Sequence, residues 1–599
     1  MKRKEASPRK SLSWFLGLGV LLVFAGASLA QSQNDNTKSA PSGTLSGRVA
    51  TQAGEPLSGA TVYVNTVGAI GSGRTATVDA SGNFKIDGLD AGVYSVFAGE
   101  PGFVSETPLT LAEGRRYYRS GDTVTLTLVK GGIITGTVTT STSLPVIGAN
   151  VRAFRVRDEN GKPVQGTIQF RNRLTDDRGI YRIYGLQPGS YLVSVGGSGR
   201  FGWPNLNAYD NDAPTYAPSS ARDTATEIPV GAGDEVTADI QYRGERGHVI
   251  SGTVAGMTQT QSIMSANSSV VLTDARTRTV IMNMPAGSFN NYTFALYGVA
   301  DGEYELLGQQ YSQSGETRMS EPRRIKVQGV DITGVNLNLA PLPSIAGRIV
   351  LESNPPADCV KRRATASQET VISARRWNQE AKAAAAKPAR PAPGDEIPLA
   401  YVNQNADAVP DAKGDFILRN LHTGSYRLNV QLPSAGWYLR SMAVGSAARA
   451  SDASIAGDGI ILKASQSVSG VIVTITEGAA SLRGRVSAAE GQRLPPDLRI
   501  YLVPAERDNV ENMLRFFESH TKDDGSFTLG NIAPGRYWII ARLPDDNDPT
   551  KTKPSREDSV LRARIFREAE ALKKEISFTP CERTGDYDLP YAPGPAPKQ

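Results

Sequence analysis

The stretch SGNFKIDGLDAGVYSV, residues 81–96, decides the fold because its pattern returns four more times along the chain. Each copy has a Gly-x-Tyr triplet, with an aromatic residue ten positions before the tyrosine and an aliphatic residue five positions before it. Just ahead of the aliphatic residue stands a glycine or an asparagine, the residues that most readily adopt positive φ. We therefore predict strand, tight turn and strand in every copy. The aromatic and tyrosine pairs are Phe84 and Tyr94, Tyr181 and Tyr191, Phe294 and Tyr304, Phe416 and Tyr426, and Phe527 and Tyr537.

These ten rings are predicted to fill hydrophobic cores. In the first copy Phe84 and Ile86 alternate with polar residues, which is typical of a sheet with one buried face. Aromatic residues at fixed offsets from turn glycines mainly supply buried area. The alternative is that the rings are stacking platforms for a ligand.

Each copy is preceded by a strand in which glycine lies between alternating apolar residues. Short strands separated by turns predict an all-β chain of five tandem sandwiches. Short linkers predict that neighbouring sandwiches form a semi-rigid row. The opening strands are LSGRV (45–49), ITGTV (134–138), ISGTV (250–254), IAGRI (345–349) and LRGRV (482–486). The predicted domains are 43–130, 131–244, 245–341, 342–478 and 479–599.

The opening strand, the following strand PLSGATVYV (56–64) and the stretch DASGNFKIDGLDAGVYSV (79–96) together resemble the carboxypeptidase regulatory-like domain. The resemblance implies a prealbumin-like or Ig-like β-sandwich, of the kind grouped with carbohydrate-binding-like folds. Tandem copies behind an export signal are similar to large exported bacterial proteins. The third copy departs from the pattern, because Tyr292 stands where the others have glycine twelve residues before the tyrosine. Its turn is therefore expected to use Asn290 and Asn291.

Two insertions interrupt the β pattern. Prolines among the alanines of residues 379–398 predict a flexible excursion in the fourth domain. Apolar residues at helical spacing predict an amphipathic helix at about 555–574 in the fifth, with Ser555 as its N-cap and Asp558 three residues on. We expect this helix to dock on its own sandwich, with another chain as the alternative. A shorter helix is predicted around 509–517.

The N-terminus and the composition indicate export. A basic leader, an apolar run and small residues before Gln31 predict a cleavable signal peptide over 1–30, followed by a disordered segment over 31–42. An uncleaved anchor is the alternative, although the apolar run is short for a bilayer span. No membrane span is expected after cleavage. A formal charge of +5 spread over 599 residues gives no basis for nucleic-acid binding.

The chain has two cysteines, Cys359 and Cys581. An oxidising compartment permits a disulfide that would tie the fourth domain to the C-terminal tail. Two unpaired thiols are the alternative. Zinc is not expected, because zinc sites use closely paired ligands.

The residues that carry chemistry are few. His248, His422 and His520 have neither glutamate nor a second histidine at zinc-ligand spacing, so the catalytic domain of a zinc carboxypeptidase is absent. No nucleophile-elbow sequence is found, and we predict no enzyme activity and no cofactor. Acidic runs at 210–212 and 545–548 lack calcium-loop spacing and are interpreted as turns. An isopeptide bond between Lys and Asn, as in related adhesin sandwiches, is not expected because arginine or threonine occupies the matching first-strand positions.

Aromatic residues in long loops are the candidate ligand contacts. They stack on sugar rings or cover a sandwich edge, and the sequence leaves both interpretations open. The candidates are Trp203, Tyr209, Tyr216, Trp437 and Tyr438. We predict a non-catalytic exported protein of the periplasm, outer-membrane surface or exterior, with a glycan or an envelope protein as its partner. A structural or protein-docking rod without glycan affinity is the alternative, and the oligomeric state is not predicted.

Overall fold

A computed structural model gives the fold of this 599-residue chain. It describes residues 43–67, 73–105, 117–164, 170–197, 208–257, 267–277, 279–286, 292–312, 315–353, 359, 365–376, 405–445, 455, 459–488, 494–495, 498–506, 509, 512–543 and 559–591. The predicted signal peptide, the segment 31–42, the insertion 379–398, the acidic run 545–548 and Trp203 lie outside the described residues. So do Asn290, Asn291, Ser555 and Asp558.

Two four-stranded sheets form the first sandwich. One has the order β4-β1-β8-β6 and the other the order β3-β2-β5-β7. The strands are β1 (Gly43–Thr51), β2 (Thr61–Thr66), β3 (Arg74–Thr77), β4 (Asn83–Leu89), β5 (Val93–Gly99), β6 (Phe103–Ser105), β7 (Tyr118–Arg119) and β8 (Thr123–Lys130).

The second and third sandwiches repeat this plan with additional short strands. The second contains β9 (Gly132–Thr139), β10 (Asn150–Asp158), β11 (Phe170–Leu174), β12 (Ile180–Leu186), β13 (Gly189–Val195), β14 (Thr215–Tyr216), β15 (Ile228–Val230), β16 (Glu235–Thr237) and β17 (Ile240–Gln241). The third contains β18 (His248–Ala255), β19 (Asn267–Asp274), β20 (Val280–Pro285), β21 (Thr293–Val299), β22 (Gly302–Tyr311), β23 (Thr317–Met319), β24 (Arg323–Val327), β25 (Ile332–Asn338) and β26 (Ala340–Pro341).

The fourth and fifth sandwiches complete the described chain. The fourth contains β27 (Ser344–Glu352), β28 (Val371–Arg376), β29 (Asn405–Ala408), β30 (Asp415–Leu418), β31 (Gly424–Gln431), β32 (Trp437–Val444), β33 (Ile460–Leu462) and β34 (Ser467–Glu477). The fifth contains β35 (Ala480–Ser487), β36 (Arg499–Pro504), β37 (Phe517–His520), β38 (Ser526–Ile532), β39 (Gly535–Arg542), helix α1 (Ser559–Leu572), β40 (Glu575–Phe578) and β41 (Arg583–Pro590). Short 3-10 helices lie at Arg222–Thr224, Ser367–Glu369 and Met513–Arg515. The predicted all-β fold of five tandem sandwiches, with a helix in the last, is confirmed.

One pairing scheme recurs in all five sandwiches. The opening strand lies between the aromatic strand, to which it is antiparallel, and the closing strand, to which it is parallel. The Gly-x-Tyr strand belongs to the second sheet, where it pairs with the strand that follows the opening strand. Alternation along the sequence predicts the antiparallel pairs, whereas the parallel return was not predicted.

The opening-strand glycine is the direct cross-strand partner of the repeated aromatic residue. A Cβ at Gly484 would lie 2.8 Å from the Phe527 ring and would also collide with the carbonyl oxygen of Tyr587 on the closing strand. Only glycine leaves room for the ring there. The pairs are Gly47 with Phe84, Gly136 with Tyr181, Gly252 with Phe294, Gly347 with Phe416, and Gly484 with Phe527.

The turn before the aromatic strand corrects the prediction for the third sandwich. Tyr292 itself adopts φ of 58°, and its carbonyl accepts a hydrogen bond from Val254. In the first sandwich the carbonyl of Gly82, at φ of 84°, accepts the same bond from Val49. The third turn is thus closed by the residue that replaces glycine, at the cost of placing a tyrosine in the left-handed region.

The single described α-helix docks on its own sandwich. Ile565 and Ala569 are buried against Tyr501 and Ile540 of the sheet formed by β36 and β39. The prediction of a shorter helix around 509–517 is wrong, because only one 3-10 turn forms within its described part and Phe517 begins a strand. The interpretation of Glu575–Phe578 as the last strand is also wrong, because β41 follows it and pairs with the opening strand.

Candidate functional site

The repeated turn after the aromatic strand lies at the joint with the preceding sandwich. At the first joint the Gly185 backbone touches Gly131, which has no room for a Cβ, and Gln187 Nε2 donates to the carbonyl of Ser105 over 3.2 Å. At the second joint Gly298 packs against the backbone of Asp210. The positive-φ residue therefore has two roles, because it closes the turn and also lets two backbones approach closely.

Asparagine replaces this glycine at the third and fourth joints and adds side-chain hydrogen bonds. Asn420 Oδ1 accepts from the Thr317 amide over 2.8 Å, and its Nδ2 donates to the carbonyl of Gly315 over 3.1 Å. Asn531 Nδ2 donates to the carbonyl of Trp437 over 2.7 Å. At φ of 62° and 55° the two asparagines keep the backbone form of the glycines.

The first sandwich also contacts the fourth, and this corrects the expectation that the sandwiches form a simple row of neighbours. The Arg119 guanidinium donates to the carbonyls of Glu369 over 2.7 Å and Leu432 over 2.8 Å. The Tyr117 hydroxyl donates to the Asp407 carboxylate. Burial in this contact lowers the pKa of Arg119.

A cleft of about 350 Å³ lies between the second and third sandwiches. Tyr216 and Tyr304 are among its lining residues, together with charged side chains from both sandwiches. Arg222 Nε lies 3.6 Å from Asp274 Oδ2, and both side chains are largely buried. Arg276 Nη2 lies 2.6 Å from Asp223 Oδ1. Ion pairs therefore cross the joint on the walls of the cleft.

All ten repeated rings are buried, with exposed fractions between 0% and 7%. The Tyr94 hydroxyl donates to the carbonyl of Asp90, four residues earlier, over 2.8 Å. The tyrosines of the second, third and fifth copies make the same bond, whereas in the fourth the His422 amide donates to the Tyr426 hydroxyl. Burial raises the pKa of Tyr191 to about 12, so its hydroxyl stays protonated. None of these rings offers a face to solvent.

The predicted ligand contacts are not brought together. Trp437 is 2% exposed in the fourth core, so its interpretation as an open stacking platform is wrong. Tyr216 is 5% exposed, and only its edge on the cleft is open to a ligand. Tyr209 packs edge-on against Tyr242, and Tyr438 is partly exposed on β32. The described part of the second-sandwich loop therefore mainly fills the joint with the third.

The sequence did not single out Tyr184, the most exposed aromatic residue of the second sandwich. Its side chain is 50% exposed on β12, and the Arg173 guanidinium lies 4.6 Å from its ring centroid. The signal was present in the sequence, because the first sandwich has Asp87 at the same offset from its aromatic residue. A ring at a polar position was therefore detectable by comparing the copies.

Cys359 and Cys581 form a disulfide, with their Cα atoms 5.6 Å apart and 222 residues between them in sequence. The bridge connects the fourth sandwich to the segment between β40 and β41 of the fifth. Of the two alternatives that the sequence left open, the structure thus forms the cross-link.

The three histidines are far apart in sequence and have different surroundings. His248 Nε2 lies 3.2 Å from Asp301 Oδ1, and His520 is exposed. His422 is 4% exposed, and burial, together with the charge of Arg376, lowers its pKa to about 4. In the described part of the chain no group of three or more His, Cys, Asp or Glu residues has a metal-binding arrangement.

The family comparison matches residues 44–127 to the carboxypeptidase regulatory-like domain. The first sandwich is a carboxypeptidase regulatory-like domain. The resemblance seen in the sequence is thereby confirmed over this segment, and the same strand pairing in the other four sandwiches makes them structural repeats of it. No curated protein matches the chain.

Solved structures with similarity to the chain include bacterial pilins. The TIE protein of Bacillus anthracis is 15% identical, with 50% of this chain and 51% of that protein covered and a TM-score of 0.14. The minor pilin of Streptococcus agalactiae is 12% identical, with 37% and 99% covered and a TM-score of 0.19. The major pilin of Bacillus cereus is 11% identical, with 50% and 100% covered and a TM-score of 0.13. TM-scores below 0.5 support no statement about fold or function.

Among the described residues, no helix has the length and apolar character that crossing a membrane requires.

Proposed function

We propose that this chain is a non-catalytic scaffold, exported to the cell envelope or beyond, that holds surfaces of its five sandwiches at fixed positions. The observation that carries the proposal is the repeated joint, in which the same turn of each later sandwich contacts the one before it. A chain of independent binding modules does not need such joints. The disulfide and the contact between the first and fourth sandwiches restrict motion further.

A distance measurement within the full chain tests the scaffold. Click-reactive residues at the exposed positions Ser58 and Lys413 would carry a donor and an acceptor dye on the first and fourth sandwiches. We expect one narrow distribution of single-molecule transfer efficiencies. Arg119→Ala should broaden it, because the guanidinium supplies two hydrogen bonds to the fourth sandwich. Arg48→Ala, at an exposed residue that bonds only within the first sandwich, is the control.

A broad distribution in the unmodified chain would contradict the scaffold, and so would an Arg119→Ala chain as narrow as the control. Either result would mean that the sandwiches move independently.

Glycan binding is the second candidate function, and Tyr184 favours it. A half-exposed ring beside the Arg173 guanidinium combines a stacking face with a hydrogen-bond donor, which suits a sugar ring and its hydroxyl groups. Affinity electrophoresis of the full chain in gels containing soluble polysaccharides tests this candidate. Retardation should disappear in Tyr184→Ala and persist in Tyr311→Ala, which removes another partly exposed ring. A chain that no polysaccharide retards would leave the scaffold as the function.

A further inference from the structure

Arg152 is a buried cation with no carboxylate partner among the described residues. Its side chain is 1% exposed in the seam between the second and third sandwiches. Nη2 donates to the carbonyl of Gly196 over 2.8 Å, and Nη1 is 3.4 Å from the carbonyl of Ile281 across the seam. Nε is buried without a partner. Burying a charged group without a counter-charge is costly, so this guanidinium calls for an anion.

Two further buried polar groups lie on the same face of the sheet. Ser194 is directly opposite Arg152 in the pairing of β10 with β13, and Asn150 is two residues from Arg152 on β10. Residues in these relations point to the same side of a sheet. Ser194 Oγ and Asn150 Nδ2 are both buried and unpartnered, and their residues are 0% and 3% exposed. Three hydrogen-bond donors thus share one covered face.

The charges around this face are mixed. Arg222 is a second cation close enough to lower the pKa of Arg152, although burial is the larger cause. Asp210 and Tyr216 act in the opposite direction. Asp210 forms no ion pair with Arg152, so the nearest carboxylate does not fill the position in front of Nε.

The cleft gives access to this face. Ile281, whose carbonyl approaches Arg152, is one of its lining residues, and so is Tyr216, which pairs with Ser194. Pro214 also lines the cleft, and both it and Arg152 Nη2 lie beside Gly197. A volume of about 350 Å³ accepts an oxyanion or a sugar acid.

We propose that the seam between the second and third sandwiches binds a small oxyanion, held by Arg152 Nε, Ser194 Oγ and Asn150 Nδ2. Charge-assisted bonds from a buried guanidinium are strong, and the hydroxyl and amide complete the set of donors. The oxyanion is either a free sulfate or phosphate ion or the carboxylate of a uronic acid. Its binding would link the two sandwiches and act as one more element of their joint.

Isothermal titration of the full chain with sodium sulfate, sodium phosphate and sodium galacturonate tests the proposal, at an ionic strength held constant with sodium chloride. We expect at least one of the three to bind, and Arg152→Gln to weaken that binding at least about ten-fold. Ser194→Ala, which keeps the charge and removes one donor, should weaken it about three- to ten-fold. Arg182→Gln, at an exposed arginine paired with Glu235 on the same sandwich, should bind as the unmodified chain does.

Hydrogen exchange with and without the anion locates the site and reports on folding of the variants. Binding should slow exchange in peptides covering 192–197 and 280–285 on the two sides of the seam. Sulfate or phosphate binding would indicate a free ion, whereas binding of galacturonate alone would indicate an acidic polysaccharide. Absence of binding in all three titrations would overturn the proposal, and so would equal affinity in the unmodified chain and in folded Arg152→Gln, which would leave only water or an adventitious ion in the seam.

Discussion

The glycine of each opening strand faces an aromatic ring because no larger side chain fits between that ring and the closing strand. This packing joins three strands at one residue. The aromatic strand supplies the ring, the closing strand supplies a carbonyl oxygen, and the opening strand supplies the space. The repeated sequence pattern is therefore a packing requirement at single positions.

Gly484→Ala should destabilise the fifth sandwich by about 1–3 kcal/mol, because the new methyl group overlaps the Phe527 ring and the Tyr587 carbonyl. Gly530→Ala is the matched control, since a Cβ there meets nothing within 4 Å. Hydrogen exchange of peptides covering 526–542 in the full chain measures the difference. Equal protection in the two variants would mean that the ring does not pack on this glycine.

His422 should make the stability of the fourth sandwich depend on pH. Its folded pKa of about 4 is below the unfolded value of about 6.5, so the unfolded chain binds the proton first as the pH falls. The stabilisation is complete above about pH 6.5 and is lost between about pH 6.5 and 4, with an upper limit of about 3 kcal/mol. His422→Ala, which introduces the residue found at this position in the third and fifth copies, should reduce the pH dependence.

Urea unfolding of the full chain at several pH values between 4 and 7.5 measures this effect through the fluorescence of buried Trp437. His520→Ala removes an exposed histidine and should behave as the unmodified chain. A slope against pH that His422→Ala leaves unchanged would assign the dependence to other groups.

At the scale of elements, the turn between the aromatic strand and the Gly-x-Tyr strand is the unit of assembly. Its geometry follows from a positive φ, and its exposed tip is free to contact the preceding sandwich. Glycine provides only close approach of the backbones, whereas asparagine provides the same backbone form and two side-chain hydrogen-bonding groups.

Asn420→Gly should loosen the third joint without straining the turn, because glycine occupies this position in the first three sandwiches. The Thr317 amide loses its acceptor and should exchange about five- to ten-fold faster, as expected for a lost hydrogen bond of about 1 kcal/mol. Hydrogen exchange of peptides covering 315–319 gives the rate. Asn531→Gly, at the fourth joint, should leave that rate unchanged. Unaltered exchange in Asn420→Gly would show that the joint is open in solution.

At the scale of the whole molecule, the disulfide fixes the fourth sandwich to the fifth across 222 residues of sequence. Cross-linking a long loop limits the conformations of the unfolded chain, a stabilisation of about 2–5 kcal/mol in the chain-entropy description. The double variant Cys359→Ser with Cys581→Ser should therefore unfold at a lower temperature than the oxidised chain.

Differential scanning calorimetry of the oxidised chain, the reduced chain and the double variant measures this shift. The reduced chain should match the variant, which separates the loss of the bond from any effect of the serine side chains. Non-reducing peptide mapping establishes the bridge independently. Two free thiols in protein recovered from an oxidising compartment would rule the bridge out.

Comparison of the copies predicts the sandwiches and their core rings, because both depend on patterns within about twenty residues. Alternation determines which side chains of a strand face inward, and glycine or asparagine determines where the chain turns. Tyr292 shows the limit of this reasoning, since a pattern of residue types suggested a different turn where the backbone kept the common one.

The sequence by itself determined the five-fold repetition, the all-β class and the positions of the rings, because these follow from local periodicity and turn chemistry. Only the tertiary structure decided that Arg119 contacts the fourth sandwich, that Trp437 is buried and that Arg152 has no carboxylate partner. Each of these depends on residues tens to hundreds of positions away. Such contacts are selected by the packing of whole sandwiches, and a pattern within one copy contains no information on which surface of another copy covers it.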